Sequence, residues 1–342
     1  MKKKIKIAYF DVFSRQNGFW EDYSINPKKY GGGAIFARWA KQFWNNNEKE
    51  FYIFASSICF SNLNKEDYGK TCVPLNNNHC DLLKKGLNLK TAFYNIDDFD
   101  VIMHGNTNFF LNNINCRAVQ IHWAGFGHSS NGHYLVPYTF VFGLNEKSCY
   151  INQKIYPVKI GKPVPKEFKL IEKQDFIFQC GKHEEGRDSI TIAEECIKNN
   201  IKCYFAGPIS PNYPLLNYID YKNTFYLGEI TEEVKLEFSK RARLATALYT
   251  TGAVFNQSVI ECLGWGTPIL CNKCQWFDIL IQHGINGFFY DKTNFLECWE
   301  NAKNINQKKC WETAKQYSVE EMLRTFSDGI DFVIKYEHGI FS

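Results

Sequence analysis

QSVIECLGWGTPIL, residues 257–270, is the stretch that decides the architecture. Val259, Ile260, Cys262 and Leu263 recur at helical spacing, glycines at 264 and 266 end the helix, and Thr-Pro-Ile-Leu follows as a short buried strand. A short apolar helix leading straight into a buried strand is one step of an alternating α/β layer. Glu261 lies inside that helix. A carboxylate there is costly to bury without a partner. Near a helix N-terminus it is placed to accept two hydroxyl donors, as from a ribose; the plainer alternative is a surface glutamate on an amphipathic helix.

The same alternation extends in both directions. Strands are expected at 4–13, 50–56, 100–105, 117–125 and 139–145, and again at 175–181, 202–208, 224–228, 245–251 and 287–291. Helices are expected after the glycines at 31–33, near 146–151, at 188–199, 232–242 and 257–264, and over most of the chain from 294 onward. The segment YPVKIGKPVPKEFKLIEKQD, residues 156–175, carries three prolines and many charges and reads as a connection between two halves. At about 150 residues per domain, 342 residues fit two domains. The fold class is therefore α/β, with two Rossmann-like halves and a ligand site expected in the cleft between them, at the carboxyl ends of the strands.

Composition excludes several classes. Hydrophobic residues at 45% and charged residues at 22% rule out a disordered tail or a fibrous rod. With 40 basic and 36 acidic residues the net charge of +4 neither demands nor excludes a nucleic-acid partner. No run approaches the roughly 20 apolar residues of a membrane span, and the N-terminal MKKKIKIAYFDVF alternates like a strand rather than a signal peptide. The expected location is cytoplasmic, with contact at the inner face of a membrane as an option. The 13 cysteines are odd in number and scattered, so they read as reduced, buried small hydrophobes. Cys271 and Cys274 form the only C-x-x-C pair, lack a second pair, and are assigned to structure.

Several segments, in order, resemble the GT-B glycosyltransferases of family 4, also called group 1. Phe255, Glu261, Gly266, Thr267, Pro268 and Ile269 keep step with that family's "E-x-F-G-x-x-x-x-E-A-x-x-x-G-T-P-V" signature. YLGEITEEVKLEFSKR (226–241), HGINGFFYD (283–291), VKIGKPVPKEF (158–168), FIFQCGKHEEGR (176–187) and YGGGA (30–34) are similar to five further segments of the family. The resemblance spans nearly the whole chain. It implies a GT-B fold: residues 1–165 as an acceptor-side Rossmann-like domain, 166–318 as a nucleotide-sugar-binding one, and 319–342 as a C-terminal helix packing back on the first.

It also implies roles. Glu261 would accept the ribose hydroxyls of the donor, and Asn256, Gln257 and Ser258 would present backbone N–H groups to its diphosphate at a helix N-terminus. Lys182 and Arg187, beside Gly181, would neutralise the departing phosphate. Gly32 and Gly33 would let the backbone approach the donor from the other domain, and Ile230 would lie near the base. His122 would contact the donor sugar or shuttle a proton, with His104 in a similar setting. GFGHSSNG, residues 125–132, lacks the third glycine of a dinucleotide fingerprint and reads as an acceptor-side loop.

The family's first glutamate would fall at position 253, which is Ala253, and its "G-G-A-E" loop reads GGAI here, with Ile35. No D-x-D stands at a strand end, so no metal ion and no cofactor are expected. The implied reaction is retaining transfer of a hexose from a nucleotide-sugar, with a UDP-sugar as first choice. The expected acceptor is a glycan or lipid-linked glycan. Two alternatives stand beside it: a DNA-modifying transferase acting on a hydroxylated base, and a GT-B shell that binds a nucleotide without turning it over.

Overall fold

The computed structural model describes residues 4–11, 48–56, 72–75, 94–104, 118–124, 138–142, 154–159, 161–250, 257–274 and 276–337. The chain divides into two compact units: residues 1–160 together with 322–342, and residues 161–321.

The first unit is built on a seven-stranded sheet: β1 (Ile5–Asp11), β2 (Lys49–Ser56), β3 (Cys72–Leu75), β4 (Val101–His104), β5 (Val119–Ala124), β6 (Tyr138–Phe142) and β7 (Lys154–Val158). Their order is β3-β2-β1-β4-β5-β6-β7, and every pairing is parallel. Parallel strands covered on both faces carry runs of consecutive apolar side chains. Ile7, Ala8, Tyr9 and Phe10 of β1, and Val101, Ile102 and Met103 of β4, have no exposed surface. Phe10 stacks on Phe54 at 4.8 Å, and Phe99 meets Phe54 edge-on at 5.4 Å.

Two strands of this sheet are absent from the sequence expectation. Both β3 and β7 hold a proline, Pro74 and Pro157, and both lie at an edge of the sheet. Proline lacks the N–H needed by a central ladder, so it argues against a strand in the sequence, yet an edge position tolerates it. The helices expected after residue 33 and near 146–151 lie outside the described residues.

The second unit has a six-stranded sheet: β8 (Gln174–Cys180), β9 (Lys202–Ala206), β10 (Thr224–Tyr226), β11 (Ala242–Ala247), β12 (Ile269–Cys271) and β13 (Gly287–Phe289). Its order is β10-β9-β8-β11-β12-β13, again all parallel. In each sheet the connections run outward on one side and then reverse, so the switch points fall between β1 and β4 and between β8 and β11. Among the described residues the α-helices are α1 (Ser189–Lys198), α2 (Glu232–Arg241), α3 (Gln257–Gly264), α4 (Phe277–Leu280), α5 (Phe295–Ala302), α6 (Gln307–Lys315) and α7 (Val319–Glu337).

One core cluster of the second unit joins Ile177, Phe205, Leu244, Leu270 and Phe288 of the sheet to Ile192 and Cys196 of α1 and Trp299 of α5. On α2, Phe238 stacks on Phe178 at 5.3 Å and lies 5.1 Å from Tyr204. Cys196, Cys203, Cys262, Cys271, Cys298 and Cys310 are reduced and buried, and behave as small apolar side chains.

The sequence expectation places the strand after α2 at 245–251, whereas β11 begins at Ala242. Helix gives way to strand with no loop: Ala242 adopts φ −57°, ψ 136° immediately after Arg241. The run SKRARL keeps a charged, helix-like pattern across the junction. Only the complete burial of Ala242 and Leu244 against the sheet reveals the strand.

The Gly-Thr-Pro of the opening stretch holds α3 in place. Thr267 Oγ1 donates to Ser239 O at 2.6 Å and accepts from Lys173 Nζ at 2.6 Å. The same ammonium donates to Lys240 O and Trp265 O, at 2.7 and 2.9 Å. It makes these three bonds to neutral acceptors, and burial lowers its pKa to about 8. Gly266, at φ 74°, leaves no room for a side chain, because a Cβ would stand 2.7 Å from Gln307 Cβ.

Along α7, Lys49 of β2 is met by Ser327 Oγ at 2.7 Å and Asp331 at 3.0 Å. Among the described residues no helix is long and apolar enough to cross a membrane.

Candidate functional site

Three strands of the second sheet end in glycine loops. Gly181, Gly207 and Gly228 follow β8, β9 and β10 with φ of 137°, 119° and 70°, in the left-handed region that excludes most side chains. Their backbones are laced together. Gly181 N–H donates to Ala206 O at 3.0 Å, and Gly207 N–H to Gly228 O at 2.8 Å. The carboxyl edge of the sheet thus presents bare main chain on the β10 side of the switch point, the position at which ligands approach such sheets.

The loop after Gly181 carries both expected cations. Lys182 is half exposed and sits 2.5 Å from Glu184. Arg187 lies 3.9 Å from the same carboxylate, and its guanidinium is 5.8 Å from the Tyr249 ring centroid. Glu184 therefore gathers the two positive charges at one end of the loop.

Between the two cations lies His183, only 1% exposed. Its Nε2 faces Ala206 O at 3.2 Å, and Nδ1 lies 2.7 Å from Ser189 Oγ. A carbonyl can only accept, so Nε2 carries the proton and Nδ1 accepts from the Ser189 hydroxyl. Ser189 Oγ in turn accepts from Gln179 Nε2 at 3.0 Å. Burial drives the imidazole pKa down to about 4, so the ring is neutral. His183 anchors the cation loop to β8, β9 and α1.

The amino end of α1 is closed by the protein itself. Ser189 N–H and Ile190 N–H both donate to Tyr213 Oη, at 3.0 and 3.3 Å, and Thr191 N–H donates to Asp188 at 3.2 Å. At the start of α3, Ser258 Oγ donates to Cys180 O at 3.0 Å, which ties that helix to the end of β8. Gln257 is half-buried as its first residue.

Glu261 is not a surface residue. Its side chain is 14% exposed and meets two ammonium groups. Lys162 Nζ lies 2.9 Å from Oε1, while Lys235 Nζ lies 3.2 Å from Oε1 and 3.0 Å from Oε2. Lys235 also holds Glu232 at 2.6 Å. Burial alone would push the Glu261 carboxyl up, but Lys162 and Lys235 together pull it below the usual glutamate range. The same two carboxylates outweigh burial at Lys235 and raise its pKa. The group borders a cavity of about 430 Å³ walled by Leu236, Trp265 and the Pro163–Pro165 segment.

Sequence reasoning missed Lys162 and Lys235. The first sits in the proline-rich connection and the second on a helix crowded with charge, so neither pattern separates it from a solvated lysine. It also missed His183, which reads as one more polar residue in GKHEEGR.

The other expected residues are placed as follows. Ile230 is half-buried in the loop between Gly228 and α2. His122 lies on β5, in register with His104 of β4 and Thr139 of β6. Gly32, Gly33, Ala253 and Asn256 lie outside the described residues, as does the loop 125–132. Among the described residues no cluster of His, Cys, Asp and Glu is arranged to hold a metal ion.

No protein-family model matches the chain, and neither does any curated protein. Solved structures do match. A glycosyltransferase from Rickettsia africae superposes with a TM-score of 0.70 at 12% identity, covering 97% of this chain and 99% of that one. AviGT4, a glycosyltransferase involved in avilamycin A biosynthesis, gives 0.66 at 13% identity, over 96% and 98% of the two chains. HepE of Anabaena, in complex with UDP, gives 0.66 at 11% identity, over 96% and 100%. With its two parallel sheets in doubly wound order, this chain has the fold of the GT-B glycosyltransferases.

Proposed function

We propose that the protein is a glycosyltransferase that moves a hexose from a nucleotide-sugar to a hydroxyl acceptor. The observation that carries this reading is Glu261: a nearly buried carboxylate on α3, the helix tied to the end of β8, paired with Lys162 and Lys235. An ionised carboxylate only accepts, which suits the paired hydroxyls of a ribose. At Gly228, beyond β10, nothing lies within 4 Å of a Cβ position, which leaves main chain open to a phosphate. Lys182 and Arg187 supply positive charge where a nucleoside diphosphate would leave, and the Gln257–Ser258 end of α3 adds backbone N–H groups. HepE binds UDP and UDP-glucose, which favours a UDP-sugar donor here.

In this reading transfer is retaining and needs no metal ion, since cations and amides bear the phosphate charge. The leaving phosphate, on the same face of the sugar as the acceptor, helps to take the acceptor's proton. His122 serves the donor sugar, and the acceptor is a glycan or a lipid-linked glycan. The test is a thermal-shift screen of the purified protein against UDP-, GDP- and ADP-sugars. One of them should raise the melting temperature by linkage, and Glu261→Ala should abolish that rise. A rise that survives the substitution would remove Glu261 from the donor site.

Ala253, at the position of the family's first glutamate, favours a second reading: a shell that binds the nucleotide-sugar without transferring it. Release of free nucleotide from the stabilising donor separates the two, because a binding-only protein releases none.

A further inference from the structure

Lys162 is fixed by the chain as well as by its charge. Its N–H donates to Tyr317 O at 3.0 Å, and its carbonyl accepts from Val319 N–H at 3.1 Å. Pro163 follows, which confines the preceding residue to extended backbone. The side chain is 8% exposed and ends 2.9 Å from Glu261 Oε1. A long, flexible residue is thereby held at both ends.

Charge balance shows what the lysine adds. Lys235 alone would be shared between Glu261 and Glu232, which it already holds at 2.6 Å. With Lys162 the cluster has two ammonium groups for two carboxylates. A carboxylate has about four acceptor sites. Oε1 of Glu261 receives Lys162 and Lys235, Oε2 receives Lys235, and acceptor capacity remains on Oε2 among the described residues.

We propose that Lys162 is a positioning residue for donor binding, holding Glu261 ionised and turned so that Oε2 stays open to a ligand hydroxyl. This rests on the reading of Glu261 as a donor-binding group. Without Lys162 the carboxylate swings toward Lys235, competes with Glu232 for one ammonium, and protonates more readily. The other ionisable groups around it are Glu232 and Glu233 on α2, Cys180 at the end of β8 and Cys262 on α3. Beyond Cys262, toward α6, lie Lys173 and Cys310. None of these replaces the lost charge: Lys173 is committed to three neutral acceptors, and burial holds the thiols protonated.

The experiment is a double-mutant cycle on the full chain, read by calorimetric titration with UDP-glucose, GDP-glucose and ADP-glucose. Lys162→Met should weaken binding of the accepted donor by about tenfold at about pH 8 and more at about pH 5.5, while Lys162→Arg keeps most of the affinity. Glu261→Gln should weaken binding too, and the double variant, which removes the charge from both partners, should bind no worse than Glu261→Gln alone. Losses that add, or a Lys162→Met protein that binds like the wild type at both pH values, overturn the proposal and leave the donor reading intact. If Lys162→Met does not fold, comparing the double variant with Glu261→Gln still decides between the two outcomes. A wild-type protein that binds none of the three sugars overturns the donor reading, and this proposal with it.

Discussion

The carbonyl oxygen of Gly181 occupies the space that a side chain on Gly207 would need: a Cβ there would stand 2.1 Å from it. The two glycines close the ends of adjacent parallel strands, β8 and β9, and their main chains touch. Gly181 also opens the loop that carries Lys182 and Arg187.

Gly207→Ala should therefore cost at least about 2 kcal/mol, from the positive φ and the backbone clash together. Urea denaturation measures this. Gly228→Ala, where nothing lies within 4 Å of the new Cβ, should cost less, because only φ is strained. Equal losses would show that the Gly181–Gly207 contact does not constrain the loop.

His183 makes folding sensitive to acid. Its folded pKa, about 4, lies below the ordinary 6.5, so the unfolded chain binds the proton first. The stability that this residue contributes is complete above 6.5 and is lost as pH falls from there toward 4. The full loss is about 3 kcal/mol. Urea midpoints of wild type and His183→Gln, compared at about pH 7.5 and about pH 4.5, should converge at the lower pH. Curves that run parallel would mean that the ring titrates normally.

Glu261 acts in a lower window. Its folded pKa is depressed, so its contribution is present above the ordinary glutamate value of 4.5 and fades as pH falls below it. At neutral pH Glu261→Gln leaves two ammonium groups facing a neutral amide and should cost about 3 kcal/mol. The difference between wild type and variant should shrink as pH drops below 4.5, in thermal or urea unfolding. A constant difference would show that the carboxylate is not ionised in the folded protein.

Lys182 separates binding from folding. It is half exposed and pairs only with Glu184 among the described residues, so Lys182→Ala should change stability by no more than about 0.5 kcal/mol. If it faces the departing phosphate, the same variant should lose turnover by about 100-fold with the accepted nucleotide-sugar. Donor turnover and melting temperature, measured on one preparation, test both halves. Unchanged turnover would place the lysine outside the reaction.

The two halves, their parallel sheets and the helix-to-strand step at residues 257–270 were legible in the sequence, because alternating apolar runs and glycine breaks are local signals. The edge strands β3 and β7 were not legible, since each holds a proline whose acceptability depends on having no neighbour on one side. The start of β11 was hidden for a related reason: burial against the sheet overrides a helix-like charge pattern. Glu261, Lys182 and Arg187 stood out only through resemblance to a motif order. The surroundings of these side chains are set by contacts far apart in the chain. Lys162 and Lys235 turn Glu261 into a buried, ionised acceptor across separations that no local pattern encodes. Burial makes His183 a neutral ring, and Ser189 and Ala206 anchor it. Periodicity and turn chemistry act between neighbours in sequence, whereas desolvation and charge pairing act between neighbours in space, and only the folded chain brings those together.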